Sequence, residues 1–439
     1  MFALHETTRR RLTQTGFVVG CLLPTLAIVV CSWRLSRSEY RDAVATALGD
    51  RLGLAASIGR VRHPKPDVTL LDEVALADPE TGARVARARL IEIESGVDVT
   101  TIRLSQLELA ASDWSDWWEL AQRELRHARR TSGKLRVSAG EITLRLASGD
   151  QTLTDVRCQS ESSEAGSQLG VSFRVAGREM PEPATLSVFR SRQTSPATAG
   201  FELHTGETFL HGGLLIAAWP PAGHLGRHAR FRGSLRAVNA ATGWEGEIAG
   251  QLDDIDLEEL VSAQFLHKLS GRGRLDLEHL RFRANRIEQA SGALAAGPGR
   301  AGRGLLKAAA DALGFEPVGE IKTIGQSIPY ERLAVAFDID PHGLSLRGQC
   351  PVAPGVALQG HELALMAEPK RASQPVVNLV RWLAPQSEVQ APATRESSAL
   401  AAILPVPELV PPPSSDDANS APATARRIRL LPPGTIGPK

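Results

Sequence analysis

Cysteine and aromatic residues are scarce in this chain. It contains 4 cysteines among 439 residues, and Phe, Trp and Tyr together make up 5%. Cys21 and Cys31 lie inside an apolar run, whereas Cys158 and Cys350 are far apart and lack the spacing of zinc ligands. This spacing excludes a cysteine zinc site. A disulfide between Cys158 and Cys350 in an oxidising compartment and two separate thiols are both open.

The charges of the chain nearly cancel. It has 50 Lys and Arg residues against 49 Asp and Glu residues, which gives a formal net charge of +1. A protein that binds nucleic acid usually carries a basic surface that attracts phosphates. We therefore expect no nucleic-acid partner.

Motifs of the common enzyme classes are missing. The sequence has no G-x-S-x-G, no phosphate loop and no C-x-x-C. Residues 297–302 match G-x-G-x-x-G, but a poor strand precedes them, so we interpret them as a turn into a helix. His224 and His228 lie in a Gly- and Pro-rich loop. We assign no catalytic, metal-binding or cofactor-binding residue and expect no enzyme, with an exported hydrolase as the remaining enzymatic alternative.

Residues 12–33 carry no charged side chain. A helix needs about 20 mostly apolar residues to cross a bilayer, so this run predicts a transmembrane helix after a short basic tail, residues 1–11. Cleavage as a signal peptide and lipidation at Cys21 are two alternatives. The run is long for a signal peptide, and it continues past Cys21.

After the predicted span, residues 34–60 read as a juxtamembrane helix and linker, with the helix at Ser38–Leu52. From residue 61 the pattern changes to short strands with one apolar and one charged face, such as Val68–Leu76 and Arg84–Glu94. Within Arg84–Glu94 the alternation shifts phase, which indicates a bulge or an edge. We predict a mainly β, antiparallel body over residues 61–371.

Three helices are predicted to interrupt this body, and helical spacing of apolar residues marks each of them: Trp114–Arg130, Asp256–Leu269 and Arg303–Leu313. The last segment, residues 372–439, holds 12 of the 28 prolines and a single aromatic residue. Such a composition predicts a disordered tail, with a brief helix near its start. This tail is a candidate site for recruiting partner proteins.

Two parts of the sequence resemble the AsmA-like proteins of Gram-negative envelopes. The first part is residues 48–61 (LGDRLGLAASIGRV) with residues 70–79 (LLDEVALADP), which follow a single span and a short helix. The second is residues 269–277 (LSGRGRLDL). The resemblance covers about a quarter of the chain. It implies an elongated, curved antiparallel sheet with an aliphatic groove, implicated in lipid handling or outer-membrane assembly.

The resemblance suggests a non-enzymatic inner-membrane protein that shields or conducts membrane lipids along an apolar groove. Its groove candidates are the inward aliphatic and aromatic residues of two strands: Val171, Phe173, Val175, Leu333, Val335, Phe337 and Ile339. A structural scaffold with a closed β core is the alternative. Tryptophan favours membrane interfaces, which makes Trp33, Trp114, Trp117 and Trp118 candidates for such contact, with packing on the sheet as the alternative.

Positive residues lie on both sides of the span, with Arg34, Arg37 and Arg41 after it, so charge alone leaves both orientations open. Arg9, Arg10 and Arg11 precede it, and the long body behind a short tail favours export into the periplasm. A periplasm-active reporter fused after residue 200 should therefore be active, and a cytoplasm-active reporter at the same site should be silent. The reverse pattern would place the body in the cytoplasm.

Overall fold

The computed structural model describes most of the body of the chain. The described residues are 15–22, 25–26, 37–97, 99–110, 121–122, 125–126, 134–146, 149–178, 181–195, 197–212, 225–226, 228–263, 265, 267–284, 286–318, 326–361, 363–383 and 403–405. The membrane-interface candidates Trp33, Trp114, Trp117 and Trp118 lie outside them.

Most described residues belong to β-strands. The strands are β1 (Ala55–Lys65), β2 (Val68–Ala77), β3 (Arg84–Ser95), β4 (Val99–Ala110), β5 (Lys134–Leu146), β6 (Gly149–Ser162), β7 (Gly166–Val175), β8 (Ala184–Ser191), β9 (Thr198–His204), β10 (Leu210–His211), β11 (Arg230–Ala240), β12 (Gly243–Asp256), β13 (Leu269–Ser270), β14 (Arg272–Arg283), β15 (Arg286–Ala296), β16 (Gly299–Gly302), β17 (Glu316–Pro317), β18 (Ser327–Tyr330), β19 (Arg332–Asp340), β20 (Gly343–Gly348), β21 (Val356–Gln359) and β22 (Ala364–Ala367). The prediction of a mainly β body is confirmed.

Helices in the described part of the chain are few and short. They are α1 (Ser38–Leu52), α2 (Arg303–Leu313), α3 (Val377–Leu383) and two π-helical turns, Val18–Leu22 and Glu258–Ser262. The bounds of α1 and α2 match the prediction. The predicted helix Asp256–Leu269 is wrong, because β12 continues to Asp256 and β13 begins at Leu269. The Asp256 carboxylate accepts hydrogen bonds from the backbone N–H groups of Glu258 and Glu259, and so begins only the short π turn.

Nineteen of the strands form one large sheet, and β13, β16 and β18 form a second, three-stranded sheet. In the large sheet the hydrogen-bonded path runs from β1 through β2 to β9, then through β11, β12, β14 and β15 to β19. The expectation of purely antiparallel pairing is wrong at one point, because β4 and β5 are parallel. Parallel neighbours need a crossover connection, and residues 111–133 connect these two strands.

A line of residues with altered pairing crosses the first six strands. Cross-strand pairing is interrupted at one position in each strand (at two between β4 and β5), and six residues define the break line: Gly59, Glu73, Arg89, Gln106, Gly140 and Asp155. Glu73, Gln106 and Asp155 have left-handed backbones, with φ of 50°, 51° and 51°. The phase shift predicted in β3 is therefore present, as part of a feature that the neighbouring strands share.

The break line changes which residues face the core. Residues three apart in a regular strand point to opposite faces. Here Leu71 and Val74 of β2 belong to one apolar cluster, and Ala139 and Ile142 of β5 belong to another. The local change in backbone conformation thus keeps one face of the sheet apolar on both sides of the line.

The two ends of the sheet are covered on this apolar face. At the first end, Ala45 of α1 packs in a cluster with Ile58, Leu71 and Val74. At the other end, α2 contributes Leu305, Leu306, Ala309 and Leu313 to the largest apolar cluster of the protein. Helices α1 and α2 therefore lie at the ends of the large sheet.

The segment after residue 371 begins with packed structure. Gln374 forms a β-bridge with Leu344, and α3 lies within the segment that was predicted to be a disordered tail. The Trp382 indole N–H donates to the Leu305 carbonyl of α2 at 3.4 Å. Farther along, Leu404 is buried in the largest cluster. The predicted brief helix is thus present, and it packs on the body.

Only part of the predicted transmembrane helix lies within the described residues. Residues 15–17 and 25–26 are helical, and Val18–Leu22 is a π turn. Phe17, Val18, Val19 and Leu26 are exposed. Across the described ranges, we find no helix with both the length and the apolar character that a membrane span requires.

The left-handed backbone at the break line gives a stability prediction. We expect Gln106→Gly to leave the free energy of unfolding unchanged or raise it by up to about 1 kcal/mol, because glycine adopts positive φ without strain. The neighbouring control Ser105→Gly, outside the left-handed region, should lower it by about 0.5–1 kcal/mol. Urea unfolding followed by tryptophan fluorescence measures both. Equal losses in the two variants would contradict strain at Gln106.

Candidate functional site

A continuous row of uncharged residues, apolar at every position except Thr69, crosses fourteen strands of the large sheet. Directly paired residues of neighbouring strands lie on the same face, so the row follows from the pairing register. The apolar row consists of Thr69, Ile93, Ile102, Val137, Cys158, Val171, Leu186, Leu203, Leu235, Ile248, Leu280, Ala290, Ile339 and Leu344. None of these side chains carries a charge. At about 4.8 Å per strand, the row is about 62 Å long.

Exposure to solvent differs along the row. Towards its last strands Ala290, Ile339 and Leu344 are buried. Eight consecutive members, from Thr69 to Leu203, are only partly buried. Ile93 among them packs in the cluster that contains Ala45 of α1. The last six of the eight define the open part of the row: Ile102, Val137, Cys158, Val171, Leu186 and Leu203. These six strands cover about 24 Å. The apolar face is therefore buried towards its last strands and partly accessible from β2 to β9.

The structure places all seven groove candidates on this same face. Val171 and Ile339 belong to the apolar row itself. Phe173 and Val175 pair with Ala184 and Leu153 and lie in the central cluster. The two groups share one face although they lie seven strand steps apart along the sheet, and their role in a lipid groove stays a prediction.

The candidates of β19 lie at the covered end. Val335 pairs with Leu294 of β15, and Phe337 pairs with Leu346 of β20. Together with Leu333 and Ile339 they pack in the largest cluster, which also contains the buried residues of α2. These four side chains thus contact the protein's own apolar residues.

On the opposite face of the sheet, charged residues pair across β3 and β4 and across β12 and β14. Arg103 of β4 lies 2.9 Å from Glu92 of β3, and Arg281 of β14 lies 3.1 Å from Glu247 of β12. Each pair joins residues that are direct cross-strand partners, one position away from an apolar-row residue. Exposed pairs of this kind contribute little stability, so their main consequence is a water-facing surface.

Cys158 is the only thiol in the apolar row. Burial raises the pKa of Cys158 to about 11, because the apolar surroundings disfavour the thiolate. Cys350 is buried in another cluster with Ala334 and Val356. Both are free thiols, so the structure answers the question of their pairing that the sequence left open.

The weaker candidate motifs do not form a site in the described ranges. The G-x-G-x-x-G residues 297–302 include β16, which pairs antiparallel with β13 and β18 rather than in a βαβ unit. The His204 Nε2–H group donates a hydrogen bond to the Glu202 carboxylate at 2.9 Å. No group of three or more metal-ligating side chains occurs where the structure describes the chain; His224 lies outside those residues.

No protein-family model matches the chain, and no curated protein matches it. The argument for a function therefore depends on the geometry of the sheet. Here sequence reasoning missed the members of the row on β9 to β14, such as Leu235 and Leu280. Their alternation with polar residues was the available signal, but only the pairing register shows that they continue one row.

The raised pKa of Cys158 predicts its reactivity. The thiolate is the reactive form of cysteine, and the pKa of Cys158 is raised from 9.0, the value of an exposed cysteine, to about 11. Alkylation of Cys158 at pH 8 should therefore be about 100-fold slower than alkylation of an exposed thiol. Thr185→Cys, on the opposite face of β8, supplies the exposed control. Site-resolved mass spectrometry measures both rates.

The pH profile separates this electrostatic effect from poor access. Alkylation at Cys158 should rise about tenfold per pH unit up to about pH 11, whereas the rate at Thr185→Cys should level off near pH 9. A plateau near pH 9 at Cys158 would contradict its burial in apolar surroundings.

Proposed function

We propose that this chain is a non-enzymatic, membrane-anchored envelope protein of the AsmA-like type. In this proposal the apolar row shields acyl chains of membrane lipids from water. The body lies in the periplasm, residues 12–33 anchor it in the inner membrane, and the protein contributes to outer-membrane assembly or homeostasis. The observation that carries the proposal is the uncharged row across fourteen strands with a partly exposed centre.

The free energy of apolar burial supports lipid as the ligand. Each buried methylene group contributes about 0.8 kcal/mol, so an acyl chain on the row gains substantial binding energy. The row offers no directional bond that would fix the chain at one point. An acyl chain is therefore held by contact with side chains such as Val171 and Leu186, and it remains able to slide along them.

The size of the open part also suits a lipid. A bilayer core of about 30 Å contains two layers of acyl chains, so one chain extends about 15 Å. The open part, at about 24 Å, accommodates such a chain with space for its polar end. The charged opposite face remains in water while the apolar face carries the ligand.

The anchor is proposed from residues near the start of the chain. Phe17 is 62% exposed and Val19 is 58% exposed. Large apolar side chains are costly to leave in water, and a bilayer would cover them. This exposure supports the membrane attachment that the uncharged run predicts.

A structural scaffold with a closed core is the second candidate. It is favoured by the covered end of the sheet, where Leu305, Leu313 and Leu404 pack in the same cluster as Ile339. A scaffold of this kind binds envelope partners and carries no lipid. The two functions differ in what occupies the open part of the row.

Lipid co-purification tests the proposal. We expect Leu186→Glu to reduce lipid bound to the purified full chain about tenfold or more, because a carboxylate in contact with an acyl chain loses its hydration. Thr185→Glu introduces the same group on the exposed face of the same strand, and it should leave bound lipid unchanged. Mass spectrometry of extracted lipid gives the amounts.

Circular dichroism must show that the Leu186→Glu protein is folded. A wild-type protein without bound lipid would favour the scaffold. Equal amounts of lipid in wild-type protein and in a folded Leu186→Glu protein would also contradict the proposed use of this face.

A further inference from the structure

Gln122 has a buried side chain amide without a hydrogen-bond partner. The residue is 8% exposed, and neither its Oε1 nor its Nε2 has a partner in the described part of the chain. More than nine in ten buried polar groups in folded proteins are paired. An amide buried in this way needs an explanation other than stability.

Gln122 lies beside helical residues that pack on the apolar face of the sheet. Residues 121–122 and 125–126 are helical. Leu125 is 2% exposed, and both Leu125 and Ala121 pack in the largest apolar cluster. Leu125 is three residues from Gln122 and therefore neighbours it on the surface of the helix. Arg126, four residues from Gln122, is exposed and marks the edge of the buried side.

This cluster reaches the open part of the apolar row. It contains Val188 of β8 and Phe201 of β9, and each lies two residues from a member of the row, Leu186 or Leu203. Since residues two apart share a face of a strand, Val188 and Phe201 continue the apolar surface on which the row lies. The amide thus lies beside a cluster that extends to the surface that we propose for an acyl chain.

A second unpaired amide oxygen lies on the same face. The Oε1 of Gln151 is buried and has no partner among the described residues. Gln151 of β6 pairs with Leu144 of β5, which pairs with Leu109 of β4. Leu144 and Leu109 belong to the central apolar cluster. Polar groups are therefore present where an entirely apolar surface would suffice for a hydrocarbon.

We propose that the Gln122 amide binds the carbonyl end of an acyl chain that lies on the open part of the apolar row. This inference rests on the proposed lipid-shielding function. The Nε2 group donates to the carbonyl oxygen of the ester or carboxyl group, and Oε1 accepts from a neighbouring hydroxyl group when the ligand has one. A free fatty acid and a glycerolipid share this chemistry.

Photo-cross-linking with three probes of equal chain length tests the inference. The full chain is reconstituted in phosphatidylcholine vesicles that contain a trace of a diazirine-bearing fatty acid, phosphatidylcholine or alkane. We expect Gln122→Leu to lower cross-linking of the carbonyl-bearing ligand about tenfold, because one hydrogen bond to a buried group is lost. Cross-linking of the alkane should not change. Gln193→Leu makes the same substitution at an exposed position and serves as the control.

The three probes also identify the source of the carbonyl group. A loss confined to the fatty acid assigns a free acid, and a loss confined to phosphatidylcholine assigns an esterified lipid. A loss of both assigns the shared carbonyl. Equal cross-linking of all three probes in wild-type and Gln122→Leu proteins would overturn the role of Gln122 and leave the lipid function intact. No cross-linking in the wild-type protein would overturn both.

Thermal unfolding distinguishes a ligand contact from a structural one. Since Gln122→Leu removes an unpaired amide from an apolar environment, its melting temperature should equal or exceed that of the wild type. A lower melting temperature, with cross-linking of the alkane lost as well, would show that Gln122 stabilises the fold and would overturn the inference.

Discussion

Strand register is the constraint on which this structure depends. Directly paired residues share a face of the sheet, so a slip of one residue in any strand would turn its aliphatic side chains towards the charged face. The register of thirteen successive pairings brings Thr69 at one end and Leu344 at the other into a single row. The separation of an apolar face from a charged face is a consequence of this shared register.

The break line preserves the separation where the strands change conformation. A bulge in one strand alone would move half of that strand to the wrong face relative to its neighbours. Here the change occurs at equivalent positions in six adjacent strands, with left-handed residues such as Glu73 and Asp155 in alternate strands. The faces therefore remain matched on both sides, and the apolar surface continues without a charged interruption.

The regions of the apolar face differ in whether helices cover them. Helices α1 and α2 pack at the two ends, and burial there has the character of an ordinary protein core. Between them the row remains partly exposed, and buried amide atoms of Gln122 and Gln151 have no hydrogen-bond partner among the described residues. A partly accessible hydrocarbon surface with a few polar groups is the arrangement that a lipid-sized ligand requires. This combination supports binding of an acyl chain more directly than it supports a closed scaffold.

The sequence by itself determined the elements with strong local signals. Alternation of apolar and polar residues identified the strands and assigned Val171 and Val335 to one face, and helical spacing with a following glycine determined α1 and α2. Only the tertiary structure decided the parallel pairing of β4 with β5, the alignment of the break line and the burial of Gln122. These features depend on which segments pair across long stretches of chain, and periodicity within one segment carries no information about its partner.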